Sequence, residues 1–92
     1  MRVRVAKHAI YRVFAKETVV LNVEKGTYHG LNPTAGRMLV VLDDSDSIAT
    51  AVDRLSHEYG VSVEQVEADV VALCHSLSER GLIDVRDGSE EG

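Results

Sequence analysis

The chain has 92 residues and a net charge of −5, with apolar residues making up 45%. That is enough for one modest hydrophobic core in one domain, and too apolar for a disordered chain. The single cysteine, Cys74, excludes an internal disulfide, and no run approaches the ~20 apolar residues of a membrane span. A lone thiol and an N-terminus without a continuous apolar stretch fit a reducing, cytoplasmic setting.

The first 16 residues carry Arg2, Arg4, Lys7, Arg12 and Lys16 and no acid, whereas all 15 acids follow Lys16. Two readings fit this block: a solvated strand edge guarded by basic side chains, or a basic patch for an acidic partner. Within it, Met1–Ala6 alternates apolar and basic residues and reads as an extended lead-in or edge strand. Ala9–Phe14 is a second strand, with Ile10, Arg12 and Phe14 on one face and Tyr11 and Val13 on the other. Ala15-Lys16-Glu17 fits a hairpin loop. Thr18–Val23 is the clearest strand, with Val19, Leu21 and Val23 on one face.

Glu24-Lys25-Gly26 reads as a three-residue turn with Gly26 left-handed. That turn pairs Val23 with Thr27, Leu21 with His29 and Val19 with Leu31. It places His29 and Leu31 on the core side and Tyr28 on the other face with Val20 and Asn22.

Asn32-Pro33 then starts a helix over Pro33–Leu42, because asparagine caps well and proline loses nothing at the first helical position. Asp43-Asp44 is expected to stop it, acids being unfavourable at a helix C-terminus. Ser47 caps a second helix, about Ile48–Glu58, with a stripe of Ile48, Val52, Leu55 and Tyr59. Ser62 caps a third, running to about Arg80 with Gly81 as its stop. Gln65 completes a capping-box pattern. Val63, Val66, Val70, Leu73 and Leu77 form this helix's core stripe. Val71, Cys74 and Ser78 widen it on one side, while Asp69, Ser76 and Arg80 bound the other. Leu82–Val85 fits a short strand. The expected fold is α+β and winged-helix-like, a three-stranded antiparallel sheet followed by a three-helix bundle. One domain covers residues 1–85, with a polar tail over 86–92.

Catalytic and metal chemistry find little support. Cys74, His8, His29, His57 and His75 show no CxxC or HxxxH spacing, so no metal site is expected. Cys74 lies mid-helix beside an apolar stripe, where a small buried thiol is ordinary and unreactive. The glycines are scattered as turns and caps, and no phosphate-binding loop or cofactor site emerges. Helices two and three have helix-turn-helix spacing, but Glu64, Glu67 and Asp69 stand where a recognition helix would meet phosphates. A DNA-binding winged helix is therefore the lesser alternative. Peptide recognition needs no catalytic group: an edge strand around Tyr28 invites an added strand, with pockets alongside on helix three.

The residues that carry a family likeness are Val20-Leu21-Asn22, then Gly26-Thr27-Tyr28-His29-Gly30-Leu31-Asn32-Pro33-Thr34-Ala35-Gly36. They continue in Asp69-Val70-Val71-Ala72-Leu73, Leu77 and Gly81-Leu82-Ile83. In order and spacing they resemble PqqD-like proteins over about residues 9–85. The chain departs from the pattern at Met38-Leu39 and at Asp43-Asp44, where relatives carry a different apolar pair and a glycine. The resemblance implies a non-enzymatic recognition element for ribosomally made, post-translationally modified peptides. Such a domain takes the precursor's leader peptide as an extra strand between the third strand and the third helix. A discrete protein of this length looks most like the leader-binding protein of lasso-peptide biosynthesis. Its implied partners are a leader-cleaving cysteine protease and an ATP-dependent cyclase. The alternative is the pyrroloquinoline-quinone (PQQ) chaperone that serves a radical enzyme. By position, Thr27, Tyr28, His29, Gly30 and Leu31 would supply backbone hydrogen bonds, and a proline at His29 would test this. Val71, Cys74 and Ser78 would line the helix wall with Val70 and Leu77 deeper, and Glu67 and Asp69 would attract a basic leader residue.

Overall fold

The computed structural model describes residues 1–86. The chain order is β1 (Arg2–Val5), β2 (Ala9–Val13), β3 (Thr18–Asn22), β4 (Thr27–Leu31), α1 (Pro33–Asp44), α2 (Ile48–Tyr59), α3 (Val63–Glu79) and β5 (Ile83–Arg86). The fold is α+β: β2, β3 and β4 form a three-stranded antiparallel sheet in that order, and three helices follow. The basic lead-in is a strand, β1, and its partner is β5, paired antiparallel from Arg2↔Arg86 to Val5↔Ile83. Of the expected polar tail over 86–92, Arg86 instead ends β5, and residues 87–92 lie outside the described residues.

The turn between β3 and β4 corrects the expected register. Asn22 pairs with Thr27, Leu21 with Tyr28, Val20 with His29 and Val19 with Gly30. The loop is therefore four residues, Val23–Gly26, not three. Its cause is the side chain of Asn22, whose Oδ1 accepts the amides of Glu24 at 3.0 Å and Lys25 at 3.1 Å. This Asx turn takes Val23 out of the ladder, and Gly26 closes the loop at φ 68°. The faces of β3 are accordingly reversed. Thr18, Val20 and Asn22 are buried, while Val19 and Leu21 look outward and Val23 is exposed. On β4, Leu31 is buried and His29 half-buried, as expected, but Tyr28 shares its face with Leu21 rather than Val20.

Asn32 caps α1 by accepting the Ala35 amide at 2.8 Å. The helix passes the expected stop at Leu42 and includes Asp43 and Asp44. Tertiary bonds outweigh the unfavourable dipole there. Asp43 Oδ1 accepts the Val5 amide at 2.9 Å, and Arg54 Nη1 donates to Asp44 Oδ2 at 3.2 Å. The helix ends at Ser45, whose hydroxyl donates to the Val41 carbonyl at 2.6 Å. Tyr11, on the inner face of β2, directs its hydroxyl at Asp43 Oδ2. Burial first, then the Asp43 charge, raises the Tyr11 pKa.

Helix α1 lies against β3 at its small residue, Gly36. A Cβ on Gly36 would fall 2.2 Å from Thr18 Oγ1 and 2.6 Å from Thr18 Cβ, so only glycine permits this approach. Ser47 caps α2 through the Thr50 amide and Gly60 ends it in the left-handed region. Ser62 caps α3, but Gln65 does not return the bond. Its amide side chain donates to Asp69 instead, at 3.2 and 3.3 Å. Leu39, Leu42, Leu55, Val70, Leu77 and Leu82 form the centre of one continuous core. Among the described residues, no helix is long and apolar enough to cross a membrane.

Candidate functional site

Two hydrogen bonds outside the strands fix which way every amide in the sheet points. Phe14 N donates to Glu17 O and Val23 N to His8 O, each at 2.8 Å. In an antiparallel pair, directly opposed residues that exchange bonds alternate with residues that do not. Ile10↔Leu21 and Arg12↔Val19 are therefore bonded pairs, and Val19 and Leu21 turn their backbone groups towards β2. Thr18, Val20 and Asn22 then bond β4, at Leu31, His29 and Thr27. What remains on β4 is the backbone of Tyr28 and Gly30, whose N–H and C=O groups point away from the sheet. β4 stands at the sheet's margin. The five residues Thr27–Leu31 thus divide into three that hold the sheet and two that offer bonds at its edge. The amide of His29 faces β3, so a proline there would break the ladder rather than probe the edge.

The α3 residues divide as well. Val70 and Leu77 are fully buried and belong to the core. Val71, Cys74 and Ser78 line a depression of about 310 Å³ with Met1, Ile48 and Val85, on the flank facing β1 and β5. No β4 residue lines that depression. Cys74 is buried there, and burial raises its thiol pKa, which leaves it protonated and unreactive near neutrality. Glu67 and Asp69 are exposed, and Asp69 accepts its bond from Gln65. By the 100° step of a helix, Asp69, Leu73, Ser76 and Arg80 occupy the opposite flank from Val71 and Ser78.

The C-terminal end of α3 can be placed. His8 Nε2 lies 2.7 Å from the Gly81 carbonyl, its own carbonyl takes the Val23 amide, and its Nδ1 is 3.4 Å from Glu24. His8 therefore ties the C-terminal end of α3 to the β3–β4 turn. Beyond this tie, Thr27 Oγ1 and His29 Nε2 meet at 3.2 Å on the inner face of β4.

Sequence reasoning did not single out the outer face of the sheet. Ile10, Arg12, Phe14, Val19, Leu21 and Tyr28, with Glu17 at the margin, line a depression of about 440 Å³. Tyr28 is 73% exposed, Phe14 58% and Ile10 50%. The signal was the alternation of β2, which already placed Ile10, Arg12 and Phe14 together. A second depression, of about 540 Å³, lies between α1 and α2, but both of its arginines are already engaged. Arg37 grips Glu58 through two bonds of 2.8 and 2.7 Å, and Arg54 is bound to Asp44 and Ser45.

Solved structures with this architecture include two complexes. One is TbiB1 in complex with the TbiA(beta) leader peptide, 24% identical, with a TM-score of 0.81 over 91% of this chain and 98% of that one. The other is lasso peptide synthetase B1 complexed with the leader peptide, 29% identical, with a TM-score of 0.80 over 92% and 100%. A comparison with curated protein sequences finds no match. The profile of the family described as Coenzyme PQQ synthesis protein D (PqqD) matches residues 17–83, from the start of β3 to the start of β5. That span holds β4, all three helices and both flanks of α3, and the chain belongs to the PqqD family.

Proposed function

We propose that this protein binds the leader segment of a ribosomally made precursor peptide as a fourth strand on β4. The observation that carries the reading is the open edge: Tyr28 and Gly30 direct unpaired backbone groups outwards from an ordered strand. The peptide lies between β4 and the α3 flank of Asp69, Leu73, Ser76 and Arg80, with His8 fastening the end of α3 beside the β3–β4 turn. Backbone bonds supply affinity, and side chains on the α3 flank select sequence. Asp69 favours a basic leader residue, whereas Glu67, two residues earlier, stands on the opposite flank with Val71 and Ser78 and outside this groove. The two leader-peptide complexes among the similar structures support this use of the fold. The buried, protonated Cys74 fits a non-catalytic adaptor.

In this reading the bound leader is handed to a leader-cleaving protease and an ATP-dependent cyclase of lasso-peptide maturation. The family's PQQ description favours a second reading, a peptide chaperone for a radical enzyme. A synthetic leader from a precursor encoded beside this chain, titrated into labelled protein, tests the binding. Amide shifts are expected at Tyr28 and Gly30 and along Asp69–Arg80. Shifts confined to Val71, Cys74 and Ser78, or none at all, overturn the proposed groove.

A further inference from the structure

We propose that the outer face of the β2–β3–β4 sheet is the interface of a homodimer, two copies packing sheet against sheet. This stands apart from the peptide reading, because it uses the face of the sheet and leaves the edge amides of Tyr28 and Gly30 free.

The register makes this face complementary to itself. One row across the sheet is Ile10–Leu21–Tyr28 and the next is Arg12–Val19–Gly30. Gly30 has no side chain, and Glu17 fills its place: the Glu17 carboxylate comes 3.5 Å from where a Gly30 Cβ would be. The second row therefore ends in a cation on β2 and an anion over β4. Neither the Arg12 guanidinium nor the Glu17 carboxylate has a hydrogen-bond or ion-pair partner among the described residues.

An isologous dimer needs a patch that matches its own two-fold image. A two-fold axis running between the sheets along β3 exchanges the β2 side of one copy with the β4 side of the other. Leu21 then meets Leu21 and Val19 meets Val19. Ile10 packs on Tyr28, and each Arg12 reaches the Glu17 carboxylate of the second copy. The strands run in the same direction, as aligned sheet packing requires, with the usual ~30° between sheets. An exposed apolar face flanked by one unpaired base and one unpaired acid is thereby covered and neutralised at once.

Three strands about 4.8 Å apart, each of five residues at about 3.4 Å, make a face of roughly 15 by 17 Å. That is small against the ~800 Å² per partner of a standard interface, so the dimer is a weak one. Sedimentation velocity on the full chain without peptide, from about 10 µM to about 1 mM, covers the range in which such an interface dissociates. Dimer is expected to accumulate across it. Arg12→Glu and Glu17→Arg each place like charges together and should shift the midpoint upwards by about tenfold or more. The double exchange Arg12→Glu with Glu17→Arg restores the pairs and should return it towards the wild-type value. Both positions are exposed, and circular dichroism confirms that each variant is folded. A wild-type chain that stays monomeric at about 1 mM overturns the proposal. A dimer indifferent to the single exchanges, or not rescued by the double one, overturns it too.

Discussion

The edge model makes its sharpest demand at Gly30. Its amide points away from β3, so Gly30→Pro removes a donor that the sheet does not use. The residue before it, His29, is already extended, as a residue preceding proline must be. The added Cβ meets only the Glu17 carboxylate, at an ordinary 3.5 Å. The fold should survive. Binding should not, because a bonded leader carbonyl loses its partner. A net peptide hydrogen bond is worth about 1 kcal/mol, and an acceptor left buried and unpaired costs about 1–3 kcal/mol. Together, about 2–4 kcal/mol, these weaken binding by roughly thirty- to a thousandfold. Gly30→Ala is the matched control, since it adds the same Cβ and keeps the donor, and it should stay within about threefold of wild type. Fluorescence anisotropy with a labelled leader measures all three proteins. Equal affinity of the proline and alanine variants, both folded, would refute strand addition at this edge.

Gly36→Ala should destabilise the protein by about 1–3 kcal/mol in urea unfolding, because the methyl meets Thr18 across the α1–β3 contact. Asn22→Leu removes the acceptor of two turn amides and should cost about 2 kcal/mol, a fall in melting temperature of roughly 8–16 °C, whereas Asn22→Asp retains most of it. The Arg37 hydrogen bond holds the Glu58 carboxyl below its usual pKa. The stabilisation it provides is therefore present at neutral pH and lost as pH falls through the carboxylate range. The pair is exposed, so the amount is small, but Arg37→Met should move the Glu58 titration upwards by NMR. Burial raises the Cys74 pKa, so the folded state resists deprotonation more than the unfolded one. Stability should decline as pH rises past the ordinary thiol range, and alkylation of the native protein should be far slower than in urea.

Local chemistry was readable from the sequence, and contacts distant along the chain were not. Asn32-Pro33, Ser47 and Ser62 announced their helices because each cap acts within three residues. Gly26 announced the left-handed position that it occupies. The β3–β4 register was misjudged because Asn22 reads as a polar strand residue, while its side chain in fact builds the turn. That single choice reversed β3, yet His29 and Leu31 kept their inward face. The end of α1 was misjudged because the partner that stabilises Asp43 is the amide of Val5, on a strand at the other end of the sequence. The helix periodicity defined both flanks of α3. It carried no information on which one would face β1 and β5, and Val71, Cys74 and Ser78 lie on that side.

The proposal of β4 as the working edge also draws support from what the other edge strands carry. Exposed edges invite unwanted pairing, and proteins blunt them with charged side chains, prolines or bulges. Here β1 reads Arg-Val-Arg-Val, β2 carries Arg12, and β5 carries Asp84 and Arg86. β4 reads Thr-Tyr-His-Gly-Leu, with no acid, lysine, arginine or proline, and its pairing with β3 is unbroken. Among the described strands it alone is both at an edge and unguarded. Glycine at one of its two outward amides adds no side chain of its own beside the bonds offered there, although the Glu17 carboxylate lies over that position. Such a strand is an aggregation hazard in a protein with no ligand for it. In the proposed reading the leader peptide covers this strand.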